Sequence, residues 1–108
     1  AYFRRGNVYL DLQDWESAIA DFTRTVRIDP DYGQAYANRG YANSIFGNWD
    51  DAIADCTRAI RIYPDWLWPY RLRGLAKQEL GLSACSDFKR GCELGSEDCC
   101  EWYDEKCK

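Results

Sequence analysis

Cysteine is the residue type that could carry reactive chemistry in this sequence, and its distribution is uneven. Residues 91–107, GCELGSEDCCEWYDEKC, contain four of the six cysteines, whereas the first 80 residues contain only Cys56. Such a cluster can bind a metal ion, form a redox-active pair or close structural disulfides. Histidine is absent, which removes the usual general base and the commonest metal ligand. The role of the thiols therefore depends on the elements that position them.

Composition and charge exclude several classes of function. The 108 residues, 46% hydrophobic with a net charge of −4, suit one folded domain spanning 1–108. Residues 96–108 carry five acidic and two basic side chains, and no basic stripe suits nucleic acid, so we expect no nucleic-acid binding. No apolar stretch is long enough for a membrane span, so no membrane insertion is expected. Methionine and a signal-like start are absent, which favours a processed product or an excised fragment.

The sequence repeats itself with a period of 34 residues. Three residue types recur at this step, at Tyr2, Tyr36 and Tyr70, at Arg5, Arg39 and Arg73, and at Gly6, Gly40 and Gly74. Residues 2–31 and 36–65 are identical at 14 of 30 positions, including W..AIAD.TR..RI.PD. A fixed period of this length predicts a stack of similar supersecondary units.

The apolar spacing within each period is helical. In WDDAIADCTRAIRIYPD the apolar positions recur at steps of three and four, and Pro64 then ends the helix. The recurring glycines inside helices indicate close approach of a neighbouring helix, and Gly47 and Gly81 mark turns between helices. The sequence predicts helices near 1–12, 15–28, 34–46, 49–62, 68–80, 83–94 and 97–106.

These periods resemble the tetratricopeptide repeat family, whose pattern places an aromatic residue, Leu-Gly, Tyr, Ala, Phe and Pro at fixed positions. The matching residues are Tyr2, Gly6, Tyr9, Ala18, Phe22 and Pro30, then Tyr36, Gly40, Ala52 and Pro64, then Tyr70, Gly74, Ala84 and Phe88. Arginine stands at the leucine position in all three periods, and Cys56 at one phenylalanine position. The third period aligns only if two residues are deleted after Gly81, and there Pro69 replaces an alanine. Because proline is favourable only in the first turn of a helix, the first helix of the third period is expected to begin nearer Trp68 than Asp65.

The resemblance implies an all-α fold, a right-handed α-solenoid of three helix-turn-helix repeats at about 1–32, 33–66 and 67–95, with a capping helix at 96–108. In this family the first helix of each repeat lines a concave groove. The implied lining is Phe3, Asn7, Leu10, Asp11, Ala37, Asn38, Tyr41, Ile45, Trp68, Arg71, Leu72, Leu75 and Gln78. Among these we expect a partner to contact Asn7, Asn38, Tyr41, Trp68, Arg71 and Leu75. The alternative is that Tyr41, Leu72 and Leu75 only pack between repeats.

Family members that bind the acidic C-terminus of heat-shock chaperones use a carboxylate clamp of two asparagines and three cations. Asn7 and Asn38 match the asparagines, but Phe3, Trp68 and Leu72 stand at the cationic positions. Each lost charge-assisted hydrogen bond is worth about 1.5–3 kcal/mol, so we do not expect this chain to act as a clamp. The mixture of amide and apolar groups favours a partly apolar ligand, either extended or helical.

The C-terminal segment is predicted to form a helical hairpin. Gly95 is placed as a left-handed helix stop and Ser96 as an N-cap, so residues 96–108 fold back antiparallel on 83–94. Facing residues in such a hairpin have position numbers with a constant sum, and Cys92–Cys100 and Cys85–Cys107 share one sum. These two disulfides are therefore favoured. The Cys92-to-Cys100 step also resembles bacterial cysteine-rich helical-hairpin repeats, in which a disulfide ties one hairpin to the following helix.

Other roles for the thiols stay open. Zinc could take Cys92, Cys99, Cys100 and Cys107, although paired C-x-x-C spacing is missing. Cys99 could be a reactive thiol at a helix N-terminus, or all the thiols could be reduced core residues. Cys56 is expected to be a buried free thiol. Disulfides would imply the periplasm, the cell surface or secretion, and their absence the cytoplasm.

The sequence therefore favours a scaffold that binds a protein or peptide in the groove, without catalysis, metal or cofactor. Two alternatives remain: a thiol-based redox or metal-binding protein, and a purely structural C-terminal end of a longer array. Self-association through the ends of the repeat stack is a further expectation.

Overall fold

The computed structural model describes residues 1–107, and these form seven α-helices and no strand. The helices are α1 (Tyr2–Asp11), α2 (Trp15–Ile28), α3 (Gly33–Phe46), α4 (Trp49–Ile62), α5 (Leu67–Glu79), α6 (Cys85–Glu93) and α7 (Glu97–Cys107). The pairs α1–α2, α3–α4 and α5–α6 correspond to the three sequence periods, and α7 follows as a single helix. The all-α solenoid predicted from the sequence is confirmed.

Local chemistry accounts for the positions at which the helices begin and end. The Asp14 side chain accepts a hydrogen bond from the backbone N–H of Ser17 and so caps α2. Gly47, Gly81 and Gly95 each adopt a left-handed conformation, with φ of 89°, 74° and 108°, which glycine tolerates because it lacks a Cβ. All three lie where a helix ends, as the sequence predicted for them.

Each helix packs on the next along the chain, and the first helices of successive repeats also approach one another. Besides the consecutive pairs, α1 lies against α3 and α3 against α5. The described part of the molecule is elongated, with principal extents of 44 × 24 × 20 Å. The inner helices of a curved stack lie closer together than the outer ones, so α1, α3 and α5 form its inner face.

The recurring glycines let the two helices of a repeat approach closely. A Cβ built on Gly6 would lie 2.6 Å from Cε1 of Phe22, and one on Gly74 would lie 2.5 Å from Cε1 of Phe88. In the second repeat, Gly40 faces Cys56 instead. The sequence prediction of a close approach at these glycines is therefore confirmed; a phenylalanine ring is the close neighbour at Gly6 and Gly74, and Asp55 and Cys56 are the close neighbours at Gly40.

The second helix of the third repeat differs from the prediction. It begins at Cys85 rather than at 83. Ala84 reaches the same buried position as Ala18 and Ala52, although the linker before it is two residues shorter than in the second repeat. An extended residue spans about 3.3 Å, whereas a helical residue spans only about 1.5 Å. The shorter linker can therefore cover the same distance because residues 82–84 are not helical.

Two buried clusters hold the stack together. The larger one joins the first two repeats around Phe22, with Tyr36 and several alanines. The smaller one joins α6 and α7 around Phe88 and Cys99, with Trp102, Tyr103 and Leu75 packed against it. The α7 helix therefore covers the apolar face that the third repeat would otherwise expose, as expected for a capping helix.

Candidate functional site

The inner face of the stack brings together two predicted asparagines. Asn38 on α3 donates a hydrogen bond from Nδ2 to Oδ1 of Asn7 on α1, at 2.8 Å. Both side chains are half-buried. This bond joins the first two repeats, and it leaves the Asn7 amide N–H groups without a partner among residues 1–107. The pair can therefore still donate hydrogen bonds to a ligand.

The inner face also carries an aromatic contact between the second and third repeats. The rings of Tyr41 on α3 and Trp68 on α5 have centroids 5.8 Å apart. Trp15 meets Tyr41 edge-on at 6.1 Å, and Trp66 lies 5.8 Å from Trp68. Tyr41 and Trp68 are half-buried, so each ring packs against the protein and still exposes part of its surface. Such rings are suited to anchoring a ligand.

The other two predicted contact residues have structural partners. The Arg71 guanidinium lies 5.3 Å from the Trp102 ring centroid, and its Nη2 donates to Asp98 at 3.3 Å. Leu75 packs against the cluster between α6 and α7. Arg71 thus bridges α5 and α7, and Leu75 contributes to packing.

Two further residues of the implied lining lie inside the protein. Ala37 and Leu72 are buried because α3 and α5 pack tightly against their neighbours. Phe3 packs on Tyr32, with ring centroids 4.7 Å apart, and on Phe22. For Leu72, packing between repeats is the correct interpretation.

An ion pair between an arginine and a buried aspartate, which was not predicted from the sequence, connects the two helices of each repeat. In the second repeat, Arg39 donates from Nη2 to Asp55 at 2.7 Å and from Nε to the same carboxylate at 3.0 Å. Its Nη1 donates to Oγ1 of Thr23 on the preceding repeat, at 3.2 Å. One arginine therefore fixes both the hairpin and the stacking, with bidentate geometry at the carboxylate.

The third repeat reproduces this arrangement, and the first lacks one part of it. Arg73 donates to Asp87 at 2.6 Å and to Thr57 on the preceding repeat at 3.1 Å. Arg5 donates to Asp21 at 2.7 and 2.8 Å. No earlier helix within residues 1–107 supplies a threonine to Arg5, whose side chain is 53% exposed against 18% for Arg73. A signal was present in the sequence, since aspartate recurs at positions 21 and 55 with the 34-residue step.

The pKa of each aspartate depends on whether the hydrogen bonds from arginine or the burial of the carboxyl has the larger effect. The hydrogen bond from Arg5 holds the pKa of the Asp21 carboxyl below its usual value. Burial raises the pKa of Asp55, against the opposing hydrogen bonds from Arg39. Burial also raises the pKa of the Cys56 thiol to about 12, so at neutral pH that thiol is protonated and unreactive.

The C-terminal cysteines form both predicted pairs. Cys85 is bonded to Cys107 and Cys92 to Cys100, with Cα–Cα distances of 5.8 and 4.6 Å. Cys99 is free and fully buried, and it lies against Gly91, where a built Cβ would be 2.6 Å from its Sγ. Cys99 is thus a packing residue at the α6–α7 contact, in a position that does not suit an exposed nucleophile. No group of three or more metal-ligating side chains occurs within residues 1–107.

Comparison with known proteins establishes the family. A tetratricopeptide repeat family model matches residues 3–65, which is more than half of the chain. The chain belongs to the tetratricopeptide repeat family. A comparison with curated protein sequences gives no significant match to this repeat chain.

Solved structures of tetratricopeptide repeat domains share the fold over nearly the whole chain. The second such domain of human RPAP3, solved by NMR in complex with the HSP70 peptide SGPTIEEVD, is 27% identical, with a TM-score of 0.90 over 99% of this chain and 92% of that one. The domain of Arabidopsis OM64 is 23% identical, with a TM-score of 0.90 over 96% and 89%. The TPR2B domain of yeast Sti1, in a pHsp70 complex, is 23% identical, with a TM-score of 0.83 over 92% and 87%.

The comparisons do not confirm the resemblance of the C-terminal hairpin to cysteine-rich helical-hairpin repeats, which stays a prediction. No helix within residues 1–107 is long and apolar enough to cross a bilayer.

Proposed function

We propose that this chain is a protein-interaction module that holds a segment of a partner protein along the inner face of α1, α3 and α5. The residues assigned to ligand contact are Asn7, Asn38, Tyr41 and Trp68. Arg71 lies at the α7 end of the same face, where it contributes a cation already paired with Asp98. The proposal assigns no catalytic step, metal or cofactor to the chain.

The observation that carries the proposal is the way the three repeats meet on this face. The Asn38–Asn7 hydrogen bond crosses from the second repeat to the first, and the Tyr41–Trp68 contact crosses from the second to the third. The hydroxyl of Tyr41 and the indole N–H of Trp68 have no hydrogen bond to any residue in 1–107. Apolar surface and unused donors side by side are what a peptide-binding groove requires.

The chemistry of the groove argues against an acidic peptide like the HSP70 peptide SGPTIEEVD in the complex of the RPAP3 domain. At two of the cationic positions of the carboxylate clamp the chain has apolar side chains: Phe3 packs against Tyr32, and Leu72 is buried. Neither side chain can supply a positive charge to a ligand carboxylate. The third cationic position holds the Trp68 ring. A ligand of this groove therefore gains more from apolar contact than from charge.

The disulfides support an oxidising location. Two bridges in a cap of this size are typical of proteins of the periplasm, the cell surface or the extracellular space. We propose that the chain works in such a compartment. Alkylation of the denatured, unreduced protein tests this assignment when the protein is purified from its own cells: two labelled thiols are expected, and six would overturn it.

Selection from a peptide library tests the proposed function. The full chain, with its disulfides intact, is immobilised and used to select peptides, and the affinity of a selected peptide is measured by calorimetry. Removing a central aromatic anchor typically costs about 2 kcal/mol or more, so Tyr41→Ala and Trp68→Ala are each expected to weaken binding about thirtyfold.

A matched control uses an exposed side chain away from the groove. Ile28 on α2 is 73% exposed, and Ile28→Ala should leave the affinity unchanged. If both groove variants bind the selected peptides as tightly as the parent, the binding site lies elsewhere and the assignment is wrong.

A further inference from the structure

Three side chains of α1 are exposed at positions that are covered in the later repeats. These residues, called here the α1 stripe, are Tyr2, Arg5 and Val8, and steps of three place them on one side of the helix. Tyr2 is 38% exposed, against 7% for Tyr36 and 9% for Tyr70. Val8 is 53% exposed, whereas the alanines at its counterparts in α3 and α5 are fully buried. The arginine is likewise the most exposed of its series.

The structure shows twice what covers the counterparts of the α1 stripe. The second helix of the preceding repeat does so, because α2 packs on α3 and α4 packs on α5. Thr23 of α2 accepts a hydrogen bond from Arg39 at 3.2 Å, and Thr57 of α4 accepts one from Arg73 at 3.1 Å. Each threonine hydroxyl donates to a carbonyl of its own helix, so its oxygen is available as the acceptor. The covering element is therefore a helix with a hydroxyl opposite the arginine.

Arg5 retains the donor that this contact uses in the later repeats. Its Nε and Nη2 donate to Asp21 at 2.7 and 2.8 Å, in the pattern by which Arg39 binds Asp55. The third nitrogen, Nη1, is the one that Arg39 uses for Thr23. In Arg5 it makes no hydrogen bond within residues 1–107. The α1 stripe therefore combines exposed apolar surface with the one polar group that a preceding second helix binds.

A second copy of the chain does not offer a helix of this kind. Its α2 and α4 are already covered by α3 and α5. On α6 the threonine position holds the exposed Lys89, once the two-residue deletion after Gly81 is allowed for, and α7 packs over that helix. A lysine opposite Arg5 would repel it, and a two-fold pairing of two α1 stripes would bring the arginines of both copies together.

We propose that the α1 stripe is the docking surface for a further tetratricopeptide hairpin, joined to the chain ahead of α1, whose second helix carries a threonine opposite Arg5. A covalent connection fits the pattern of the molecule, because only four residues, 29–32 and 63–66, join each covering helix to the helix it covers. A single hairpin cannot bury its apolar face alone, so it is stable only as part of a stack. Its first helix would lie beside α1, as α1 lies beside α3, and would lengthen the inner face by one helix.

Extending the full chain by its own first repeat tests the docking. A duplicate of residues 1–34 placed directly ahead of Ala1 keeps the period, so the duplicated threonine precedes Arg5 by 16 residues, the separation of Thr23 from Arg39. Amide hydrogen exchange in α1 should slow by about tenfold or more, because opening of α1 then requires the added repeat to separate. Exchange in α1 as fast as in the parent would overturn the proposal.

Three variants identify the contacts responsible. The same 34 residues joined after Lys108 meet Lys89 and α7 instead, and should leave α1 exchange unchanged. Thr23→Val in the duplicate keeps the side-chain shape but removes the hydroxyl, so about three- to tenfold of the added protection should be lost. Val8→Asp should change exchange little in the parent, where the side chain is exposed, and abolish the added protection in the extended chain. Equal effects of Val8→Asp in both chains would refute docking on this stripe.

Two measurements test the source of the hairpin. Residues 1–108 alone should sediment as a monomer, and a dimer that Val8→Asp dissociates would show that a second copy covers the stripe and overturn the proposal. In the polypeptide purified from its own cells, the intact mass should exceed the 12.6 kDa of residues 1–108 by about 4 kDa or more, the mass of one repeat. A mass of 12.6 kDa would contradict the proposed connection. Neither result depends on peptide binding at the inner face, so the proposed function can fail or hold separately.

Discussion

Removing the disulfides should destabilise the protein by an amount that the loop lengths set. Cys85 and Cys107 are 22 residues apart, and Cys92 and Cys100 are 8 apart, inside the larger loop. In the chain-entropy description, the outer bridge contributes about 3.4 kcal/mol and the inner bridge about 2.5 kcal/mol. Because the inner bridge already shortens the outer loop, the two together should contribute about 5 kcal/mol, less than their sum.

The position of α7 makes this loss specific to one part of the molecule. It packs mainly on α6, around Phe88 and Cys99, and reaches α5 through the Arg71–Asp98 ion pair. An exposed ion pair of this kind is worth at most about 1 kcal/mol. Without the bridges, α7 should therefore separate first and leave the core of the third repeat partly uncovered.

Urea unfolding of the double variants Cys85→Ala/Cys107→Ala and Cys92→Ala/Cys100→Ala measures the two contributions. Because each variant keeps the other bridge, the first should lose about 2.5 kcal/mol of unfolding free energy and the second about 1.6 kcal/mol. Hydrogen exchange should quicken in α7 before it does in α1–α4. A loss below about 1 kcal/mol in both variants, with α7 amides as protected as in the parent, would refute the view that the bridges hold the cap.

Three further predictions concern the repeats. Gln13 adopts a left-handed conformation, with φ of 60°, where the later repeats have glycine, so Gln13→Gly should raise the unfolding free energy by about 0.5–1 kcal/mol in urea titrations; a decrease would contradict this. Gly74→Ala places a Cβ 2.5 Å from the phenylalanine ring of α6 and should lower the unfolding free energy by about 1–2 kcal/mol. Gly40→Ala, whose nearest contact is 3.2 Å, should lower it less, and equal losses would contradict the close-packing argument. The pKa of Asp21 is lowered in the folded protein, so its stabilisation is complete above its unfolded pKa of about 3.9 and is lost as pH falls through the lower folded value. The stability gap between the parent and Asp21→Asn should therefore be full at neutral pH and narrow steadily as the pH is lowered below about 3.9, and a gap that widens on acidification would contradict this.

The repeat period made the fold predictable, because each helix boundary is set by nearby residues. Helices α2 and α4 begin and end where the sequence predicted, since Pro30 and Pro64 stop them. The bridges were predictable for a similar reason, since helix geometry decides which cysteines of a hairpin can face each other. The start of α6 was not, because a two-residue deletion does not say whether the linker or the helix shortens.

The site was less predictable than the fold because it depends on which neighbours a side chain meets. Leu75 and Arg71 occupy groove positions in the family pattern, yet α7 engages both. The pattern cannot show this, since it describes a repeat followed by another repeat. The Arg39–Asp55 pair was also missed, although both residues recur in the sequence, because a charged residue in a leucine position suggests exposure until its partner is known.

The central claim is that a partner segment lies along the inner face of α1, α3 and α5. Intermolecular NOEs between the labelled chain and a library-selected peptide test it most directly, because they locate the ligand without removing any side chain. The account predicts NOEs from the peptide to Asn38, Tyr41 and Trp68. NOEs confined to the outer helices α2 and α4, or to α7, would contradict it.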